Sequence, residues 1–256
     1  MTYQAREAGL KEVEQLVHEQ AVYQYLQENN EGGQMDKDQM LFLHEAISGS
    51  DLTDASAYRV VSATLYMILA HDTHEKIDEP GDVVQLTRKE QELTVLAGDF
   101  YSALYYRTLA ELEMIPLLRA LQSGVQETNT AKTNIYQLHV ATDEEYLSQL
   151  TLTNAAIFAK FAKYFMKDDT FIALGCQFFL LKRLQTELAT YKEIGASRLK
   201  RAFDHGYFAK EAVSNFESWL VAIIHDVKSE VKRLKDKSEP LSNILGKRII
   251  EVINDR

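Results

Sequence analysis

The chain has 256 residues, of which 46% are hydrophobic and 26% charged, and its net charge is −10. This acidic balance argues against general nucleic-acid binding, whose affinity rests on neutralising phosphates. A single cysteine, Cys176, excludes an internal disulfide and a thiolate zinc cage.

The composition also predicts the fold class and the location. Proline occurs only three times, and Leu, Ala, Glu, Lys and Gln are abundant, which favours helices. The start lacks the apolar centre of a signal peptide, and no run reaches the roughly 18 apolar residues of a membrane span. We therefore expect a cytoplasmic, all-α protein with at most peripheral membrane contact. With no internal repeat and no linker, one helical domain over residues 1–256 is the simplest prediction.

The first half of the chain contains four predicted helices. They cover residues 8–28, residues 36–48, and a core helix pair at about 54–112. Thr53 or Asp54 can cap the first helix of the pair, which is predicted to end at His71. Apolar residues surround this helix, so we expect it to be buried on nearly every side.

The second helix of the pair carries the run LTVLAGDFYSALYY from residue 93. A glycine in a helix interior costs about 1 kcal/mol relative to alanine, so Gly98 is predicted to have a packing reason. Asp99 lies among apolar residues and needs a partner, which could come from a neighbouring helix or from another subunit. The wide apolar face of this helix is predicted to comprise Leu93, Leu96, Ala97, Phe100, Tyr101, Leu104, Tyr105 and Leu109.

The second half of the chain is also predicted to be helical. Pro116 should kink the helix or begin a new one, and Thr142 has the form of an N-cap. Long helices are predicted over residues 123–138, from Thr142 to about Phe165, from Phe171 to about Gly195 and over 209–234, with a short amphipathic helix after Pro240.

The order of these parts resembles the trans-polyprenyl diphosphate synthases. In that family a buried helix ends in His followed by DDxxD, and a later helix carries a leucine-valine-alanine-glycine-aspartate run. Here His71-Asp72 takes the first place and VLAGDF at residues 95–100 the second. However, the sequence DTHEK at 72–76 keeps only the first carboxylate of DDxxD. The family's second cluster reads roughly FQxxDDxxD, whereas Gln177 here is followed by apolar and basic residues.

This combination resembles component I, the small non-catalytic component of the two-subunit heptaprenyl diphosphate synthases. The resemblance implies a degenerate prenyl-synthase fold that is inactive alone and acts with a catalytic component II. The complete enzyme would elongate farnesyl diphosphate with isopentenyl diphosphate into the menaquinone side-chain precursor, and this chain would help to set product length. It would bind no cofactor and contribute no catalytic residue, because Mg²⁺ is expected on the partner. Whether the isolated chain is a monomer or a homodimer stays open.

The resemblance also implies specific residues. His71 and Asp72 would be the remnant of the first aspartate motif. The helix over residues 91–112 would lie at the subunit interface, where its aromatic residues could line a tunnel for the growing chain. The predicted interface or tunnel residues are Leu96, Gly98, Asp99, Phe100, Tyr101, Tyr105 and Tyr106.

A metal-dependent phosphohydrolase of the HD type is the alternative. That family is also all-α and combines a His, a His-Asp pair and a later Asp as metal ligands. His44 and His71-Asp72 could play the first parts, with Asp143 or Asp168 as the last. A bare His-Asp pair is a weak signal for this family. The signal for a zinc site at the end of the buried helix is also weak.

Overall fold

The structure is a computed structural model, and it describes residues 3–21, 34–78, 86–137, 139–140, 142–204 and 215–255. Within these ranges the chain forms α-helices and no β-strand, so the all-α prediction is confirmed. No helix in the same ranges has both the length and the apolar character needed to cross a membrane. The helices are α1 (Tyr3–Ala21), α2 (Lys37–Ile47), α3 (Asp54–Glu75), α4 (Arg88–Glu111), α5 (Ile115–Tyr136), α6 (Asp143–Tyr164), α7 (Asp169–Ile194), α8 (Arg198–Asp204), α9 (Phe216–Lys237) and α10 (Asn243–Asn254).

The chain divides into two compact units, Met1–Leu121 and Gln122–Arg256. The boundary falls within α5, which restarts at Ile115 after Glu113 adopts a positive φ of 55°. Pro116 therefore occupies the first turn of a new helix, where its missing N–H has no consequence. The single domain predicted from the sequence stays a prediction, and the two units are described separately below.

Helix α3 is the centre of the first unit. All its residues from Val60 to Ala70 are buried, as the sequence predicts, and it packs against α1, α2 and α4. Its N-cap is Thr53, whose side chain accepts from the Ser56 N–H. The predicted end at His71 is wrong by one turn: α3 continues to Glu75 because residues 72–75 contain no helix breaker.

Helix α1 lies close to α2 and α3 at Gly9. A Cβ added at Gly9 would stand 2.8 Å from the Tyr58 hydroxyl and 2.9 Å from Nε2 of His44, so no other residue fits there without movement. Arg6 forms an ion pair with Glu45 at 2.5 Å one turn earlier. Residues 22–28, the predicted end of this helix, lie outside the described residues.

Burial of His44 predicts that the first unit loses stability in mild acid. Desolvation is the main cause that lowers the pKa of His44, followed by Arg6, while Glu45 and Asp54 act in the opposite direction. Because the folded-state pKa lies below the unfolded value of about 6.5, the unfolded chain binds the proton more strongly. The stability that His44 contributes is therefore present above pH 6.5 and is lost as the pH falls below it.

We expect the melting temperature to drop between pH 7.5 and 5.5, and His44→Gln to reduce this drop. His18→Gln provides the matched control, because His18 is exposed on α1. An equal drop in the wild type and in His44→Gln, measured by circular dichroism, would exclude His44 as the source.

The second unit is built around α7, which packs against α6 and α9. Asp168 caps α7 by accepting from the N–H groups of Thr170 and Phe171. Gly195 ends it in a left-handed conformation with φ 74°, which favours glycine. Trp219 of α9 donates from Nε1 to Asp143 Oδ2 at 3.2 Å, which joins α9 to the start of α6.

A buried carboxylate positions helix α8, an element that the sequence does not predict. Glu187 of α7 accepts from the Leu199 N–H at 3.1 Å, and its other oxygen pairs with Arg183 at 2.7 Å. The free N–H groups of a helix N-terminus favour such a negative partner. Helix α8 spans seven residues, which is too short for a periodic apolar pattern to reveal it.

Candidate functional site

The remnant of the first aspartate motif lies at the end of α3. His71 is half-buried, Asp72 is exposed and Thr73 is buried. Of the three carboxylate positions of the DDxxD motif, only Asp72 keeps an acid, while Thr73 and Lys76 take the other two, so the motif's set of oxygen ligands for a hard cation is incomplete. In the described part of the chain, no group of three His, Cys, Asp or Glu side chains is arranged to hold a metal ion.

The second aspartate motif falls in the interior of α7. With Gln177 in the place of the motif's Gln, the three carboxylate positions become Leu180, Leu181 and Leu184. All three leucines are buried and belong to the core of the second unit. Where the motif of the resembling family has carboxylates, this chain therefore has buried hydrocarbon side chains.

An aromatic cluster fixes this part of α7 against α6. A Cβ added at Gly175 would lie 2.1 Å from the Phe158 ring, so the ring rests directly on the α7 backbone. The Phe158 ring centroid lies 5.4 Å from that of Phe179 and 6.0 Å from that of Phe171. Aromatic side chains thus fill the space beside the degenerate motif.

Gly98 has the packing reason that the sequence predicts. Its missing side chain makes room for the imidazole of His74, whose Cε1 and Nε2 would lie 2.4 Å from an added Cβ. The contact joins the end of α3 to the middle of α4. It also brings Nε2 of His74 to 3.8 Å from Oδ1 of Asp99.

Helix α4 has a buried apolar face and an exposed face on which apolar residues lie beside charged ones. Its buried face comprises Leu93, Thr94, Ala97, Gly98, Tyr101, Leu104, Tyr105, Thr108 and Leu109. The opposite face, here called the outer face, comprises Val95, Leu96, Asp99, Phe100, Ala103, Tyr106 and Ala110, with the charged residues Glu92 and Arg107 exposed on the same side. Leu96 is 61% exposed and Tyr106 is 47% exposed, while Phe100 is half-buried. Exposed apolar residues grouped on one face are a candidate interaction surface.

The predicted interface residues divide between these two faces. Leu96, Asp99 and Tyr106 are exposed and Phe100 is partly so, whereas Tyr101 and Tyr105 are buried in the first unit. Leu96 was predicted to share one wide apolar face with Leu93, but Leu96 is exposed to solvent whereas Leu93 is buried. Val95 and Ala103 were not among the predicted residues, although their helical spacing from Leu96 and Asp99 indicates the same face.

The residues that the HD-type alternative requires have structural roles. His44 is buried against Gly9 and Tyr58, Asp143 accepts from Trp219, and Asp168 caps α7. None of these arrangements favours hydrolysis, so the alternative gains no support.

Comparison with known families gives one match over most of the chain. The model of the family described as heptaprenyl diphosphate synthase subunit 1 matches residues 23–236. Among curated proteins, heptaprenyl diphosphate synthase component 1 of Geobacillus stearothermophilus is 29% identical over 154 residues, which cover 60% of this chain and 67% of that protein.

Solved structures of polyprenyl synthases share the fold at low sequence identity. A geranylgeranyl pyrophosphate synthetase from Geoglobus acetivorans aligns with a TM-score of 0.67 at 14% identity, covering 98% of this chain and 97% of that one. A decaprenyl diphosphate synthase from Rhodobacter capsulatus aligns with a TM-score of 0.64 at 13% identity and the same coverage. At these identities the likeness concerns the fold alone.

Proposed function

Because the chain belongs to the heptaprenyl diphosphate synthase subunit 1 family, we propose that it is the small, non-catalytic subunit of a two-subunit heptaprenyl diphosphate synthase. The assembled enzyme extends farnesyl diphosphate with isopentenyl diphosphate, and its product serves as the precursor of the menaquinone side chain. The observation that carries the proposal is the replacement of the second carboxylate cluster by Leu180, Leu181 and Leu184 within a retained fold.

The chemistry of chain elongation explains why this replacement matters. The leaving diphosphate must be bound through Mg²⁺, which takes oxygen ligands from carboxylates. In this chain only Asp72 remains of the first cluster, and the second is apolar, so its donor set does not fit Mg²⁺-diphosphate. The catalytic partner therefore supplies the carboxylates, and this chain supplies none of the reacting groups.

The outer face of α4 is the surface that we assign to the catalytic partner, component II. It presents Val95, Leu96, Phe100 and Tyr106, and full burial of one such side chain contributes about 1.5–3 kcal/mol. An interface that buries several of them has the apolar centre expected of a stable complex. We also propose that the aromatic residues Phe100 and Tyr106 contact the growing prenyl chain at this boundary, through which the subunit would affect product length.

An activity assay with labelled isopentenyl diphosphate, farnesyl diphosphate and Mg²⁺ tests the proposal. We expect no product from this chain alone, little or none from its catalytic partner alone, and a heptaprenyl chain from the mixture. The readout is product length on a thin-layer plate after dephosphorylation. Activity of this chain alone, or no stimulation of a correctly folded partner, would contradict the proposal.

A further inference from the structure

Asp99 lies in the middle of the outer face. Of its side chain, 69% is exposed, and Val95, Leu96 and Ala103 are its neighbours at helical spacing. The sequence leaves open whether Asp99 bonds a neighbouring helix or another subunit. Its exposure shows that the carboxylate points away from the core of its own unit.

Within this unit, His74 is the ion-pair partner of Asp99, and the contact is loose. Its Nε2 stands 3.8 Å from Oδ1, which is beyond hydrogen-bond distance, and an imidazole is charged only when protonated. The imidazole packs on Gly98 and is held beside the carboxylate. Arg107 lies two turns further along α4, about 12 Å away along the axis, and pairs with Glu111.

We propose that the catalytic partner donates a cationic side chain, a guanidinium or an ammonium, to Asp99 when it covers the outer face. This inference rests on the proposed function, since it specifies the partner's chemistry at that interface. Removing a carboxylate from water is costly unless the charge is paired and hydrogen-bonded. Inside an apolar interface the pairing is stronger than in solvent, and it selects a partner with matching charge.

The pair also fixes the orientation of the complex. Apolar contacts around Leu96 and Tyr106 are non-directional, so they tolerate sliding of one helix along another. One charge pair at the centre of the face permits a single register, because any shift leaves a carboxylate buried without its cation. Asp99 is therefore a specificity residue of the interface, whereas its apolar neighbours provide most of the affinity.

Affinity measurements on the full-length subunit pair test the inference. We expect Asp99→Asn to raise the Kd at least tenfold and Asp99→Lys at least a hundredfold. His74→Gln and the exposed control Asp226→Asn on α9 should stay within threefold of the wild type. Each exposed Lys or Arg of the partner is then changed to Ala in turn. One of these partner variants should bind the wild-type chain more weakly than the unchanged partner does, but should bind Asp99→Asn no more weakly.

Four outcomes would overturn the inference. An unchanged Kd for Asp99→Asn, while Leu96→Glu abolishes binding, would show that the outer face is the interface but that no cation of the partner pairs with Asp99. An equal loss for His74→Gln would assign the cation to this chain. Purely additive losses across the partner panel would mean that no cation of the partner pairs with Asp99. If Leu96→Glu and Asp99→Lys both bound normally, the assigned interface itself would be wrong.

Discussion

Replacing Leu96 with glutamate is expected to abolish assembly with the catalytic subunit and to reduce the activity of the mixture at least a hundredfold. Leu96 is the most exposed of the large apolar residues on α4, at 61%, so the change costs little in the free chain. In the complex it would bury a new carboxylate among apolar groups without a partner, which costs several kcal/mol. A loss of about 3 kcal/mol in binding already corresponds to more than a hundredfold change in Kd.

Val221→Glu is the matched control for this experiment. Val221 is an apolar residue of α9, exposed to a similar degree as Tyr106, and it lies in the other compact unit. Both variants should show wild-type circular dichroism and melting temperature, while only Leu96→Glu loses binding in analytical ultracentrifugation. A folded Leu96→Glu subunit that still supports full activity would show that the outer face is not the interface.

Replacing Gly175 with alanine is expected to destabilise the second unit by about 2–3 kcal/mol. The new Cβ would lie 2.1 Å from the Phe158 ring, and the ring cannot move freely because Phe171 and Phe179 pack around it. The free energy of unfolding from urea titration measures the effect. Phe158→Leu in the Gly175→Ala background should recover part of the loss, because neighbouring substitutions are coupled.

Gly246→Ala is the corresponding control in an open environment. An added Cβ at Gly246 meets no atom within 4 Å, and alanine is the better helix former. This variant should be unchanged or more stable by up to about 1 kcal/mol. Equal effects of the two substitutions would mean that helix propensity, and not the Phe158 contact, decides the outcome at Gly175.

Sequence periodicity predicts the buried helix α3 correctly because its apolar residues cover every side, which leaves one possible environment. For α4 the apolar pattern does not predict which residues are buried. Leu96 and Leu93 belong to the same apolar run, yet one is exposed and the other buried. A periodic pattern cannot distinguish a face covered by the chain's own helices from a face reserved for another molecule.

The candidate site, like the fold, can be predicted from the sequence only in part. The missing carboxylates follow from the sequence alone, whereas the contact of His74 with Gly98 does not, because it depends on how closely α3 and α4 approach. Predicting that Asp99 is exposed likewise requires knowing how α4 is oriented about its own axis. The sequence shows that Asp99 requires a partner, and only the three-dimensional arrangement shows on which face the carboxylate lies.

The leucines of α7 have an evolutionary consequence. Leu180, Leu181 and Leu184 now hold the second unit together, so a reversion to aspartate would place acids in a hydrophobic core. Each buried, unpaired acid costs several kcal/mol, and whole domains have only about 5–15 kcal/mol of stability. Restored catalysis would require several concerted changes, and the intermediate sequences would not fold. On the proposed function, the chain would therefore stay dependent on a catalytic partner.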